Sequence, residues 1–295
     1  MKINLLLTGA RGFLGQNLQE YFSSQADFNL FTPTHTELDL TDVNSLGEYL
    51  KKSEITHVIH AANLGGPRNQ TDLSGVLATN LRMFYNLVLH EQKLTKIIYF
   101  CSGAAFDKSK PIVNVTEDEF VNYLPRDEYG LSKNILARYV AARPDSKIIG
   151  LRLFGIYGPH EDFSLRFISH AIVQNLQGLP ITLRQNVVFD YLPVQDLFPV
   201  ITYMLTTSTQ HHLYNVTSGE KIDLLALAKI VNSVSQHPVP IIVEQPGLAN
   251  EYTGSNTRLQ KELKNHFVIT PHEHAITQLY AWYQQHAVSL GLNIA

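Results

Sequence analysis

Cysteine is almost missing from this chain: Cys101 is the only one in 295 residues. That excludes an internal disulfide framework and a cysteine-built zinc site, and it suits a reducing, cytoplasmic setting. Surplus charge is missing too. Lysine and arginine number 23 against 26 aspartates and glutamates, a formal net charge of -3. Nothing in that balance favours a phosphate backbone, so nucleic acid is not an expected partner. No apolar run approaches the ~18 residues that would span a bilayer, so no membrane contact is expected. The opening Lys2-Ile3-Asn4-Leu5-Leu6-Leu7 is apolar, but a glycine loop follows at once. It reads as a buried strand rather than a leader. Low-complexity segments and repeats are absent, and hydrophobic residues make up 44%, which excludes a disordered chain.

What is there is alternation. Apolar strand-like runs at Ile3–Thr8, Phe28–Thr32, Thr56–Ala61, Lys96–Ser102 and Ile148–Phe154 are interleaved with helical patterns. The helices are expected at Phe13–Phe22, after a Thr41-Asp42 cap, from near Leu73 to His90, and from Tyr129 to Ala142. This order implies βαβ crossovers and a parallel sheet covered on both faces. The pattern loosens after Gly158-Pro159, where a helix near Ser164–Leu176 is followed by short strands and two later helices. The expected organisation is a doubly wound α/β domain, mainly residues 1–160. A smaller α/β substrate-binding lobe, mainly 161–295, would return some segments to the first sheet.

The first strand runs into Thr8-Gly9-Ala10-Arg11-Gly12-Phe13-Leu14-Gly15 and then a helix. Gly9 allows the tight turn, Gly12 lets backbone approach a pyrophosphate, and Gly15 lets helix pack close to strand. Phosphates would meet free N–H groups and the positive end of the helix dipole. An NAD site usually places an acid at the end of the second strand to hold the ribose diol. Here that region reads Thr32-Pro33-Thr34-His35-Thr36, with no acid before Glu37. The gap tolerates a 2′-phosphate, and Arg11 and His35 supply positive charge and donors. NADP is the expected cofactor, with NAD the alternative. No metal is expected.

Tyr129 and Lys133 stand at i and i+4, on one face of a helix. A phenol titrates near pH ~10, and lowering that by about three pH units takes roughly 4 kcal/mol. An ammonium ~4–5 Å away supplies about that much at an effective dielectric of ~20. The pair is therefore expected to exchange a proton with a carbonyl or carbinol oxygen. Ser102, at the end of the fourth strand, would hold that oxygen.

With these residues in place the chain resembles the extended short-chain dehydrogenase/reductase superfamily of Rossmann-type nucleotide-sugar epimerases, dehydratases and reductases. The glycine loop at 8–15, Asp39-Leu40, His60-Ala61-Ala62, Thr79-Asn80-Leu81, Ser102, Tyr129, Lys133, Tyr157-Gly158-Pro159 and Tyr214-Asn215-Val216 carry the resemblance. It implies that Asp39 and Leu40 flank adenine and that Ala61 and Ala62 lie along the cofactor. It also implies that Asn80 and Ile156 join the cofactor site, that Lys133 binds the nicotinamide ribose, and that two long helices pair in a homodimer.

Within the superfamily the chain is most similar to the GDP-fucose synthase family of NADPH-dependent epimerase-reductases. Arg11, the segments 34–38 and 158–163, and Ser169-His170 carry that likeness. It places His170 as a catalytic acid and Ala104 against the substrate, where the family has its epimerisation cysteine. Cys101 stands three residues earlier, Gly155 replaces an asparagine, and Phe189 replaces a basic residue. Arg166 and Arg184 are candidate contacts for the substrate's phosphates.

Dehydration needs a carboxylate pair just after Ser102, and none occurs before Asp107. Epimerisation needs an acid–base pair besides Tyr129, and only His170 is visible. Reduction needs only Ser102, Tyr129, Lys133 and the cofactor. The expected activity is therefore reduction of a 4-keto-hexose nucleotide by NADPH. An epimerase or epimerase-reductase is the alternative enzyme, and a catalytically silent NADP-binding sensor or scaffold is the alternative class.

Overall fold

The computed structural model describes residues 2–65 and 74–293. In the first half the elements run β1 (Ile3–Thr8), α1 (Phe13–Ser23), β2 (Phe28–Phe31), α2 (Val43–Lys52), β3 (His57–His60), α3 (Val76–Leu89), β4 (Lys96–Ser102), β5 (Ile112–Val115), α4 (Glu128–Ala141) and β6 (Ile148–Leu153). The second half follows with β7 (Gly155–Tyr157), α5 (Phe167–Leu176), β8 (Ile181–Asn186), β9 (Val188–Pro193), α6 (Leu197–Thr206), β10 (Leu213–Val216), β11 (Lys221–Asp223), α7 (Leu224–Val234), β12 (Ile241–Leu248), β13 (Tyr252–Gly254), α8 (Thr257–Glu262) and α9 (His272–His286).

Six strands form the central sheet in the order β10-β6-β4-β3-β1-β2, every pair parallel. Side-chain alternation assigns the two faces. Leu5, Leu7, Ile59, Ile98, Phe100, Ile149, Leu151 and Tyr214 pack with α1 and α6. Leu6, Val58, Ile97, Tyr99, Cys101, Ile148 and Leu213 pack with α2, α3 and α4. The period-2 pleat thus buries both faces, which is why these strands read as unbroken apolar runs. The direction of winding reverses between β1 and β3. A parallel sheet opens a crevice at the carboxyl ends of such a pair, where ligands bind.

Local signals set the helix ends. Asp42 caps α2 by accepting from Asn44 N (2.8 Å) and Ser45 N (3.3 Å), and Asp127 caps α4 by accepting from Gly130 N (2.7 Å). Two expected starts move. The helix expected from near Leu73, a position outside the described residues, begins at Val76 behind left-handed Gly75. The helix expected from Ser164 begins at Phe167, because Asp162 Oδ1 takes both Ser164 N (3.0 Å) and Ser164 Oγ (2.6 Å) into a tight turn.

A second sheet, β11-β9-β13-β5 with β7 on β9, ties the halves together. Its edge strand β5 comes from the first half, while β13 comes from far along the chain. A separate core of α5, α7, α9 and β8 lies in the second half. Among the described residues no helix is long and apolar enough to cross a membrane.

Candidate active site

The glycine loop sits at the switch between β1 and β3. Gly9 has φ +70°, and a Cβ there would stand 2.5 Å from Ala62 N and 2.7 Å from Ala61 C. Only glycine fits the turn, so the loop lies directly on the end of β3. Gly15 is as tightly placed, since its Cβ would overlap Gly9 O and approach Ala10 Cα at 2.6 Å. His60 supports the junction. Its Nδ1 meets Thr8 Oγ1 at 2.9 Å, and Thr8 Oγ1 accepts from Ala62 N at 3.2 Å. Burial, with the nearby Lys133 charge, pushes the His60 imidazole down to about 3, so it is neutral. The start of α1 carries no side-chain cap and no acid in its first turn. Its N–H groups are left for an anion.

A cavity of about 1010 Å³ opens over this loop. Gly9, Arg11, His35, Asp39, Leu40 and Ala62 are among its lining residues. A dinucleotide-sized space, an uncapped helix start and a glycine cradle together fit NAD(P). Arg11 and His35 are exposed there. The Asp39 carboxylate is held below its usual range by Thr41, which donates to Oδ1 from Oγ1 (2.7 Å) and N (2.8 Å).

At the carboxyl end of β4, Ser102 Oγ accepts from Ala104 N (3.1 Å) and lies close enough to the Tyr129 phenol to draw its pKa down. Asp127 starts α4 two residues before Tyr129, and the turn of helix brings Lys133 beneath it. Lys133 Nζ lies 5.6 Å from the Tyr129 ring centre and 4.8 Å from that of Tyr99. It donates to Phe100 O at 2.9 Å. Serine, tyrosine and lysine therefore meet at the end of the sheet, next to the strand whose end touches the glycine loop.

Residues 5–217 match the NAD dependent epimerase/dehydratase family. The chain belongs to that family. A GDP-6-deoxy-D-mannose reductase from Pseudomonas aeruginosa is 23% identical over 254 residues, 82% of this chain and 83% of that protein. A GDP-L-fucose synthetase from Naegleria fowleri is 18% identical with a TM-score of 0.83, covering 97% of this chain and 94% of that one. A GDP-mannoheptose C4 reductase from Campylobacter jejuni, solved with NADP bound, is 15% identical with a TM-score of 0.82, covering 96% and 98%. Both structures share this doubly wound fold.

Against the family pattern, several expected roles change. The net shift of the Tyr129 phenol is upward rather than downward. Burial raises that phenol above its ordinary value, Ser102 draws it back, and the more distant charge of Arg166 lowers it. Lys133 donates one of its N–H groups to Phe100 O, and burial brings its own pKa down to about 8. Asn80 is buried, and its amide is used on both sides by Leu64, accepting from Leu64 N (2.8 Å) and donating to Leu64 O (2.9 Å). It holds the loop after β3 rather than reaching into the cavity. Ala104 is 1% exposed. Cys101 is sealed against α4, its Sγ 3.6 Å from Lys133 O.

His170 is half-buried one turn beyond Arg166, and its Nδ1–H donates to Phe163 O at 3.0 Å. Arg184 lies exposed on β8, in the separate β8–β12 pair. Ile156 is half-buried on β7, paired with Leu192. Glu161 is buried and its carboxyl is pushed up to about 8, with Ser169 Oγ donating to it at 2.7 Å. Sequence reasoning missed Glu161, and it missed Tyr252. The Tyr252 hydroxyl lies against the backbone of Gly103, next to Ser102.

Proposed function

We propose that this chain reduces the 4-ketone of a hexose carried on a nucleoside diphosphate. The observation that carries this reading is the meeting of Ser102, Tyr129 and Lys133 beside the switch-point loop. The activities named for the P. aeruginosa and C. jejuni relatives support it. NADPH, when bound, supplies the hydride.

The chain's own residues do the rest. Ser102 and Tyr129 present two hydroxyls to one substrate oxygen, and Tyr129 gives that oxygen its proton as the ketone becomes an alcohol. Burial keeps the phenol neutral at neutral pH, which suits a donor. Lys133 keeps a positive charge under the phenol and steadies the phenolate left behind. Arg166 lies near enough to act on both Tyr129 and Tyr252, and its guanidinium would meet the substrate's diphosphate. Epimerisation would need a further acid or base on the ring, and sealed Ala104 supplies none. Following NADPH absorbance across a panel of 4-keto sugar nucleotides tests the reading. Consumption with at least one member supports it, and none across the panel sinks it.

NADPH is proposed over NADH because Arg11 and His35 border the cavity, while Asp39 is already engaged with Thr41. Arg11→Ala is expected to weaken NADPH binding about tenfold, the scale of one charged contact, and to leave NADH unchanged. Fluorescence titration of both nucleotides reads this, and an equal loss for the two would contradict it.

A homodimer is proposed through α3 and α4. Leu77, Leu81 and Tyr85 run along α3 and Leu131, Ile135 and Tyr139 along α4, all half-buried at helical spacing. The stripe lies on two adjoining helices and suits a second copy of itself. Light scattering is expected to give twice the 33.2 kDa chain mass. The single-chain mass at micromolar concentration would overturn the dimer.

A further inference from the structure

Asn17 and Glu20 lie one turn apart on α1, and both hold the loop that follows β7. Asn17 is buried. Its Nδ2 donates to Phe13 O (2.8 Å) at the start of the helix and to Pro159 O (2.8 Å) in the loop. Glu20 Oε1 accepts from His160 Nε2 at 2.7 Å. The His160 ring meets Trp282 of α9 edge-on, with 5.2 Å between centres. The backbone of His160 is left-handed, at φ +64°, which is uncommon for a residue with a side chain. Such a conformation persists where its surroundings fix it, and here a bond to α1 and an indole from α9 do so.

The next three residues hold a different helix. Glu161 is buried and accepts from Ser169 Oγ on α5 at 2.7 Å. Asp162 closes the turn before α5 by accepting from Ser164 N and Oγ. Phe163 O accepts from His170 Nδ1 at 3.0 Å. The Phe163 ring also meets Tyr283 edge-on, 6.3 Å between centres and one residue along α9 from Trp282. Five consecutive residues thus join two helices. Pro159 and His160 are fastened to α1, which begins at the glycine loop. Glu161 and Phe163 are fastened to α5, which begins behind Arg166 and carries His170.

We propose that His160 is a positioning residue: with Asn17 and Glu20 it straps the cofactor helix α1 to α5, so that a dinucleotide bound at the start of α1 steadies α5 for the substrate. The inference rests on the reductase reading only for its effect on turnover. A pyrophosphate at the start of α1 restricts that helix. Asn17 bonds both Phe13 O and Pro159 O, so what restricts the first turn of α1 also restricts the loop. Glu20 holds the loop again one turn further along, and Glu161 and Phe163 pass the restraint to α5. Coupling of this kind needs no change of shape. The second ligand meets a helix that the first has already ordered.

Two variants separate this role from plain stability. In His160→Gly the glycine takes the left-handed backbone without strain, so the loop keeps its path and the melting temperature should hold or rise. Only the bond to Glu20 and the ring on Trp282 are lost. Glu20→Ala breaks the same bond from the other side. The Glu20 side chain is 65% exposed, so the change leaves the core untouched.

The test is amide hydrogen exchange with and without saturating NADPH. It requires no substrate, so it stands even if no 4-keto sugar nucleotide is turned over. In the wild-type protein NADPH is expected to slow exchange in α5 about tenfold, within the usual range of coupling between two sites. In His160→Gly and in Glu20→Ala that slowing should vanish from α5 while persisting at the start of α1. Where a sugar nucleotide is turned over, the loss should appear as a several-fold rise in its KM rather than as a fall in kcat. Absence of any NADPH-dependent slowing in wild-type α5 would overturn the proposal. So would undiminished slowing there in either folded variant.

Discussion

Tyr129→Phe is expected to lower turnover about 10²-fold or more while NADPH still binds, the scale on which a positioned proton donor acts. The ring stays, so its packing over Lys133 is kept. Ser102 Oγ keeps Ala104 N as its partner. Only the proton bound for the substrate oxygen is lost. Steady-state kinetics with a fluorescence titration of NADPH separate the two quantities. Turnover within a few-fold of wild type would show that another group delivers the proton, and His170 would then be the first to examine.

Lys133→Met is expected to be worse, because it acts on both steps. On the proposed contact between this ammonium and the nicotinamide ribose, NADPH affinity should fall about tenfold, the size of a charged hydrogen bond. Turnover should fall at least as far as in Tyr129→Phe, because no positive charge remains under the phenol. The pH dependence follows from the buried position. Burial favours the neutral amine and brings the Lys133 pKa down to about 8 from an ordinary value near 10.5. The charged form is the working form, present below pH 8 and lost above it. kcat/KM for NADPH should therefore fall as pH rises through about 8, and this limb should be missing from the residual activity of Lys133→Met. A flat wild-type profile to pH 9.5 would contradict the assignment.

These effects follow from motifs that lie close together in sequence. The glycine loop and the Tyr129–Lys133 pair each occupy one local segment, and their spacing alone puts them on one turn or one helix face. The alternating strands were legible for the same reason, since a sheet buried on both faces leaves continuous apolar runs. Tyr252 was not legible. It stands on a three-residue strand far from Ser102 in sequence, and what brings it there is pairing with β5 and β9, contacts that no local pattern encodes. Gly103, which only glycine can fill beneath the Tyr252 hydroxyl, was the one trace of it in the chain.

Other differences have their own causes. Asn80 and Ala104 hold family positions, but position in a motif does not settle whether a side chain faces ligand or protein. Asn80 turned to Leu64, and Ala104 is closed off by the turn that follows Ser102. The Tyr129 phenol was expected to be lowered by the nearby Lys133 charge. Desolvation, which a sequence does not display, is the larger effect in a buried site, and it raises the phenol.

The central claim is that this chain passes one hydride to a nucleotide-linked ketone and leaves the neighbouring carbons alone. The most direct measurement is NMR of the product formed from a 4-keto sugar nucleotide and NADPH deuterated at the transferring position. A parallel incubation in deuterium oxide without NADPH reads solvent exchange. The predicted result is one deuterium at C4 of the sugar, matched by NADP formed, and no solvent deuterium at C3 or C5. Failure to transfer the label would contradict the reductase. Solvent deuterium at C3 or C5, abolished in His170→Ala, would show an epimerase-reductase instead.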